Sequence, residues 1–211
     1  ILERERKRLA AGRGPFGHSV RPVLAYLQGG KTDSGKRMGT YGIIHHPQAV
    51  LGAEVRNTPE GVTDLGYLFE HTVLALTAEG LGTCWLGGTF NRKLFSSMAD
   101  MAPEEVLPVI TPLGRPADDL DLTERLMRRI SKADQRKPFE RLFFDGSFGR
   151  PLSPQDAGLW AEPLHMVRLG PSASNHQPWR IVLEPDRQRG HLYLRLTPGY
   201  AGNQMGVALQ R

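Results

Sequence analysis

The chain has 211 residues, enough for one large domain or two small fused ones, each with a core. Its 39% hydrophobic and 23% charged residues are ordinary globular values and exclude a disordered chain. The formal charge of +5, from 27 basic against 22 acidic residues spread along the sequence, favours anionic small molecules as much as nucleic acid, and neither strongly. A single cysteine, Cys84, rules out an internal disulfide and a cysteine-only metal cluster, which fits a reducing, cytoplasmic setting. No apolar run approaches the ~20 residues of a membrane span, and no signal peptide is recognisable. The sequence opens without Met and closes on Gly206–Arg211, which reads as the first turns of an amphipathic helix, so further residues are expected at both ends.

Residues 3–11 read as a helix closed by Gly12, with the mixed charges Glu3 to Arg8 as its solvated face. A turn from Gly12 to Gly17 and an apolar strand, Val20 to Leu27, follow. The turn fits G-x-G-x-x-G, but it leaves a helix and enters a strand, the reverse of a dinucleotide fingerprint. Gly30 to Arg37 nearly fits a phosphate-cradling loop, yet Arg37 stands where a magnesium-binding hydroxyl belongs, and a surface loop is the better reading. Residues 41–55 read as short extended pieces with turns; His45 and His46, adjacent in one piece, point to opposite faces and cannot share a metal. From Asp64 to Gly80, Leu65, Leu68, Phe69, Thr72, Val73 and Leu76 recur at helical spacing, with Asp64 as the expected N-cap and Gly80 as terminator.

Gly80-Leu81-Gly82-Thr83-Cys84-Trp85-Leu86-Gly87-Gly88 suggests an extended piece approached closely by another segment or by a ligand. A short helix is expected near 91–99, then a core strand from Val106 to Leu113, bent or placed at an edge by Pro108 and Pro112. Residues 121–133 read as a helix, and Arg136-Lys137 as an adjacent basic pair suited to a phosphate or to open solvent. Asp145 to Pro154 reads as a linker, Pro154 to Leu169 as a helix, and Trp179–Leu183 with His191–Leu196 as a hairpin closed by Gly190. Between them, Gly170 to Val182 combines Ser172, two amides (Asn175, Gln177) and a rigid Pro178-Trp179 step ahead of an apolar run. Such a stretch suits either a polar turn or a ligand-binding loop held by the strand behind it.

Helix, Gly-Pro, loop, Pro and apolar strand occur twice, with Gly14-Pro15 and Pro22 echoed by Gly170-Pro171 and Pro178. The expected architecture is α+β, two tandem copies of one unit with mixed or antiparallel sheets flanked by helices. The halves would run 1–144 and 145–211, the second cut short in its central helix. Ser172, Asn175 and Gln177 are matched in the first copy by Phe16, Ser19 and Arg21, so one site per chain is expected.

Pro-Ser-Ala-Ser-Asn-His-Gln-Pro-Trp resembles the P-S-x-x-N-x-Q-P-W loop of the FMN-dependent nitroreductase family, and Gly80 to Gly88 resembles its second flavin-contacting segment. Leu107 to Pro116 and the basic Arg136-Lys137-Pro138 are similar to its closing strand and tail. The order of these segments is similar to single-chain members in which both halves of the usual dimer are fused. The resemblance implies that Pro171, Ser172, Ala173 and Asn175 contact the isoalloxazine, with Gly87 and Gly88 against its other side. It gives Arg136 and Lys137 the FMN phosphate, and has Gln177, Trp85 and Trp179 hold the loops in shape.

The implied activity is hydride transfer from NAD(P)H, as co-substrate, through flavin N5 to a nitroaromatic, quinone or similar acceptor, in a monomer acting as an internal pseudo-dimer without nucleic-acid or membrane partners. No side chain is nominated as acid or base. Gly87 stands where some members carry Glu, Ala173 where Ser is common, and the family's N-terminal basic R-S-x-R motif has no match. Those departures keep a second reading open, a non-enzymatic flavin-binding or interaction module.

Overall fold

In the computed structural model the described residues are 1–27, 44, 46–87, 90, 101–116, 125, 129 and 132–195. The segment 30–37, His45, Gly88, the helix expected at 91–99 and most of 121–133 lie outside them. The chain forms two compact units that divide between Leu120 and Asp121. No described helix is long and apolar enough to cross a membrane.

In the first unit, helix α1 (Leu2–Ala11) ends where Gly12 turns extended, and Leu9 anchors it in the core. Strand β1 (Arg21–Tyr26) pairs antiparallel with β2 (Ala49–Arg56) from Arg21 opposite Glu54 to Tyr26 opposite Ala49. β2 is one strand of eight residues rather than the short pieces expected. Seven of the eight are buried because it is covered on both faces. Ala49, Leu51, Ala53 and Val55 pack with α1 and α2 (Pro59–Ala78), while Val50 joins Leu107 and Ile110 on the other side. The edge of β2 opposite β1 pairs antiparallel with β3 (Glu105–Val106) and β4 (Ile110–Leu113). Val106 faces Val55 and Ile110 faces Gly52, so four steps on one strand answer three on the other. The expected bend is thus a β-bulge around Pro108.

Gly52 lies opposite that bulge. A Cβ there would stand 2.9 Å from Ile110 Cγ2 and 3.2 Å from the Val109 carbonyl oxygen. Gly52→Ala is therefore expected to destabilise the first unit by about 1–3 kcal/mol through overpacking, measured by urea unfolding.

Helix α2 starts before the expected Asp64. Thr58 is its N-cap, the Oγ1 accepting from Gly61 N at 3.1 Å, and Pro59 fills the first helical position. The expected apolar face is correct: Leu65, Leu68, Phe69, Thr72, Val73 and Leu76 are all buried. Gly80, at φ +79°, ends the helix in a Schellman arrangement, with Leu81 N bonding Leu76 O and Gly80 N bonding Thr77 O. Asp64 is a buried residue of the second turn, and its carboxylate fastens the Gly12–Gly17 turn. It accepts from Phe16 N, His18 N and the His18 ring, each at 2.8 Å.

The second unit has a three-stranded sheet in which β5 (Phe143–Asp145) runs parallel to β6 (Trp179–Leu183) and β7 (Gly190–Leu194) pairs antiparallel with β6. The expected hairpin is present. Helix α3 (Ala161–Leu169) covers one face, where Leu164, Leu142, Phe143, Leu152 and Leu183 form the core with Trp179 and Ile181. The helix expected from Pro154 begins only at Ala161, because Gly158 takes φ +56° and a 3-10 turn, Gly158–Trp160, precedes it.

The stretch expected as a linker is a folded turn. Asp145 N bonds Arg150 O and Leu152 N bonds Phe143 O, while the Asp145 carboxylate holds Arg150 and Arg187. A boundary at 144/145 would cut β5 in two. The units divide earlier because β5 takes its partner from β6, and Gly, Pro and Ser here serve the turn.

Candidate functional site

The Gly170–Val182 loop is positioned by α3, which ends at Gly170, and by β6, which starts at Trp179. Between them Ser174, Asn175 and Gln177 all take positive φ, at 47°, 54° and 47°. Left-handed backbone at three non-glycine residues so close together costs free energy and persists only where bonds over-determine it. Here Asn175 N bonds Ser172 O, His176 N bonds Ala173 O, and Gln177 N donates to Ser172 Oγ at 2.8 Å.

Gln177 is the buried centre of the loop, 3% exposed. Its Oε1 accepts from Lys137 N at 2.8 Å, and its Nε2 donates to Asn175 Oδ1 at 3.1 Å and to the carbonyls of Asn175 and Gln135. Asn175 turns its own Nδ2 to the carbonyls of Lys132, at 2.6 Å, and Gln135, at 3.0 Å. Both amide hydrogens are thereby engaged, while Oδ1 keeps one lone pair beyond its bond to Gln177. Pro171, Ala173 and Ser174 form the exposed rim.

The structure brings Arg136 and Lys137 to this loop, with their donors on carbonyls. Arg136 Nε and Nη2 donate to Leu169 O, and Nη1 donates to the carbonyls of Ala133 and Gln135. Lys137 Nζ donates to the carbonyls of His176 and Gln177. Arg136 thus retains one of its five N–H groups and Lys137 one of its three. Burial, reinforced by Arg180, Arg195 and Arg141, pulls the Lys137 ammonium below the usual lysine range.

Trp85 and Gly87 belong to the first unit. The segment 82–86 runs beside β4, with bridges from Gly82 to Gly114 and from Leu86 to Ile110. A Cβ on Gly82 would lie 3.4 Å from Pro116 Cα, so the close approach expected there is made by neighbouring chain. Trp85 stacks edge-to-face on Phe69 with centroids 5.1 Å apart, and its Nε1 donates to Glu70 at 2.9 Å. It holds the segment against the core. Gly87 is half-buried. Among the described residues no group of three or more His, Cys, Asp or Glu side chains could hold a metal.

Residues 31–210 match the model of a nitroreductase family described as "Putative TM nitroreductase". The chain belongs to this nitroreductase family. Among solved structures it is similar to a "putative nitroreductase" of Thermotoga maritima MSB8, with 18% identity, a TM-score of 0.55, and 99% of this chain and 70% of that one covered. It is also similar to nitroreductase family proteins of Clostridium novyi NT (19% identity, TM-score 0.40, 57% and 76% covered) and Clostridium difficile 630 (14%, 0.44, 61% and 78%). No curated protein matches. The family assigns this chain to the oxidoreductases, and the Thermotoga likeness supports the mixed helix-and-sheet fold.

In this nitroreductase-family chain the carbonyls of Lys132 and Gln135, which anchor the loop, were invisible to sequence reasoning because carbonyls carry no residue signature. Arg168, whose Nε donates to Lys137 O at 2.7 Å, was likewise missed. So were Arg180 and Arg195. Alternation along β6 was the available signal, since it sends Arg180 to the face opposite Trp179, Ile181 and Leu183.

Proposed function

We propose that the chain is an FMN-dependent oxidoreductase that takes reducing equivalents from NAD(P)H and passes them to a small nitroaromatic, quinone or similar acceptor. The observation that carries this reading is the Gly170–Val182 loop, a strained backbone locked by Gln177 and Ser172 with a rim of small side chains. The donor set suits a flavin ring edge. Asn175 Oδ1 has one acceptor position left for a ring N–H, and Ser172 Oγ, which accepts from Gln177 N, still has its hydroxyl hydrogen to give. Ala173 is exposed and small, so a flat ring can approach the backbone. The one N–H left on Arg136 and on Lys137 suits phosphate oxygens, provided the loop carbonyls keep their present partners.

Bound FMN would supply the hydride exchange between nicotinamide and acceptor. The loop residues hold the ring, fix its orientation and keep water from the side they cover. The shared order of helix, loop and antiparallel strand pair, α1–β1–β2 and α3–β6–β7, supports reading the two units as copies. In the first copy the matching turn is committed to Asp64 instead of a ligand, which favours one functional loop per chain.

An absorption spectrum of the FMN-loaded protein, before and after anaerobic NADH or NADPH, tests this reading. Flavin bands that bleach and recover with a quinone are expected. Bound flavin that neither nicotinamide reduces would favour the non-enzymatic module, which the carbonyl-committed Arg136 and Lys137 also suit. Asn175→Ala should weaken FMN about tenfold, the value of one hydrogen bond to the ring, while Ser19→Ala leaves it unchanged. Equal losses, read by flavin fluorescence titration, would contradict a single site.

A further inference from the structure

We propose that the sheet face opposite α3 in the second unit binds a planar aromatic carboxylate. A shallow, open cleft of about 300 Å³ lies on this face, lined by Phe144, Phe148, Arg180, Tyr193, Leu194 and Arg195. That volume is at the lower end of small-molecule pockets and suits a one- or two-ring compound. The walls are a fixed aromatic array. Phe148 meets Phe144 edge-to-face at 5.3 Å and Tyr193 at 5.0 Å, leaving Phe148 and Tyr193 about half exposed, at 53% and 46%. A ring entering between them gains further edge or face contacts.

The cations decide the charge of the ligand. Arg180 lies opposite Tyr193 in the β6–β7 register, and Arg195 follows β7 with its backbone N–H on Pro178 O. Arg180 Nη1 donates to the carbonyls of Gln177 and Trp179, which leaves Nε and Nη2 for another acceptor. Among the described residues neither arginine has a carboxylate partner. The nearby carboxylates are spent elsewhere, Asp145 on Arg150 and Arg187, and Glu184 on His191. Burial and the like charges of Arg195 and Arg141 push Arg180 below the usual arginine range, and an anion in the cavity would relieve this. Inorganic phosphate would leave the rings unused and a neutral aromatic would leave the charges unrelieved, so both observations meet in an aromatic anion. The site borders the loop proposed for the flavin, since Arg180 and Lys137 share the Gln177 carbonyl.

The probe is naphthalene-2-carboxylate, titrated by fluorescence against the full chain beside its neutral analogue naphthalene-2-methanol. The carboxylate should bind about tenfold tighter or more, the value of one charged hydrogen bond, and weaken with added salt. Arg195→Gln, an exposed position that should fold, is expected to cut the preference severalfold, Arg180 retaining the remainder; Arg195→Lys should keep more of it. Arg189→Gln, an exposed arginine of the β6–β7 connection that does not line the site, should leave it unchanged. Equal affinity for the two probes, a preference undiminished in Arg195→Gln, or one reduced as much in Arg189→Gln would overturn the proposal.

Discussion

Gln177→Leu is expected to lower FMN affinity by more than tenfold and to destabilise the second unit by about 2–4 kcal/mol, since it removes several buried hydrogen bonds at once. Leucine fits the volume but neither accepts nor donates. Lys137 N would lose its acceptor in a half-buried place, and Asn175 Oδ1 and the Gln135 carbonyl would lose a donor. The positive φ values at Ser174 and Asn175 would then lack the contacts that impose them, and the loop should relax to ordinary backbone. Flavin titration and thermal unfolding followed by near-ultraviolet circular dichroism measure the two effects. A variant with native FMN affinity would show that the loop does not hold the ring.

The largest effect in the first unit is expected from Asp64→Asn, about 2–4 kcal/mol for a buried, charge-assisted site. The carboxylate accepts from Phe16 N through one oxygen and from His18 N and its ring through the other. An asparagine must turn its NH2 towards one of those N–H donors. Gly14 leaves no room for adjustment, because a Cβ there would stand only 2.3 Å from Asp64 Oδ1. Burial opposes ionisation of Asp64, yet the bonds from Phe16 and His18 outweigh it and hold the carboxyl below the usual carboxylate range. The folded state therefore binds fewer protons than the unfolded chain across the window between the two values. Stability from Asp64 is complete above the unfolded carboxylate value and is lost as pH falls through the folded one. The gap between wild type and Asp64→Asn, read by urea unfolding at successive pH values, should be constant near neutrality and shrink below pH ~4.

The same residue shows where sequence reading stops. Asp64 before an apolar helix looks like an N-cap, but Thr58 carries that role six residues earlier, and the buried carboxylate answers a turn distant in sequence. β2 was obscured because Gly52 and Glu54 break its apolar run; only the packed sheet shows that Gly52 admits Ile110 and that Glu54 pairs with Arg21. Gly, Pro and Ser between 145 and 154 suggested a linker, since a tight turn and a flexible joint draw on the same residues.

By itself the sequence determined the apolar face of α2 and its stop at Gly80, the β6–β7 hairpin, and the nitroreductase family. These signals are local, set by helical period, turn chemistry and a short run of residue types. Tertiary structure decided the rest: the partner of β5, the burial of Gln177, and the commitment of Asn175, Arg136 and Lys137 to backbone carbonyls. Those depend on which distant donors and acceptors meet once the chain closes on itself, and a buried polar group must find its partner wherever the fold brings one.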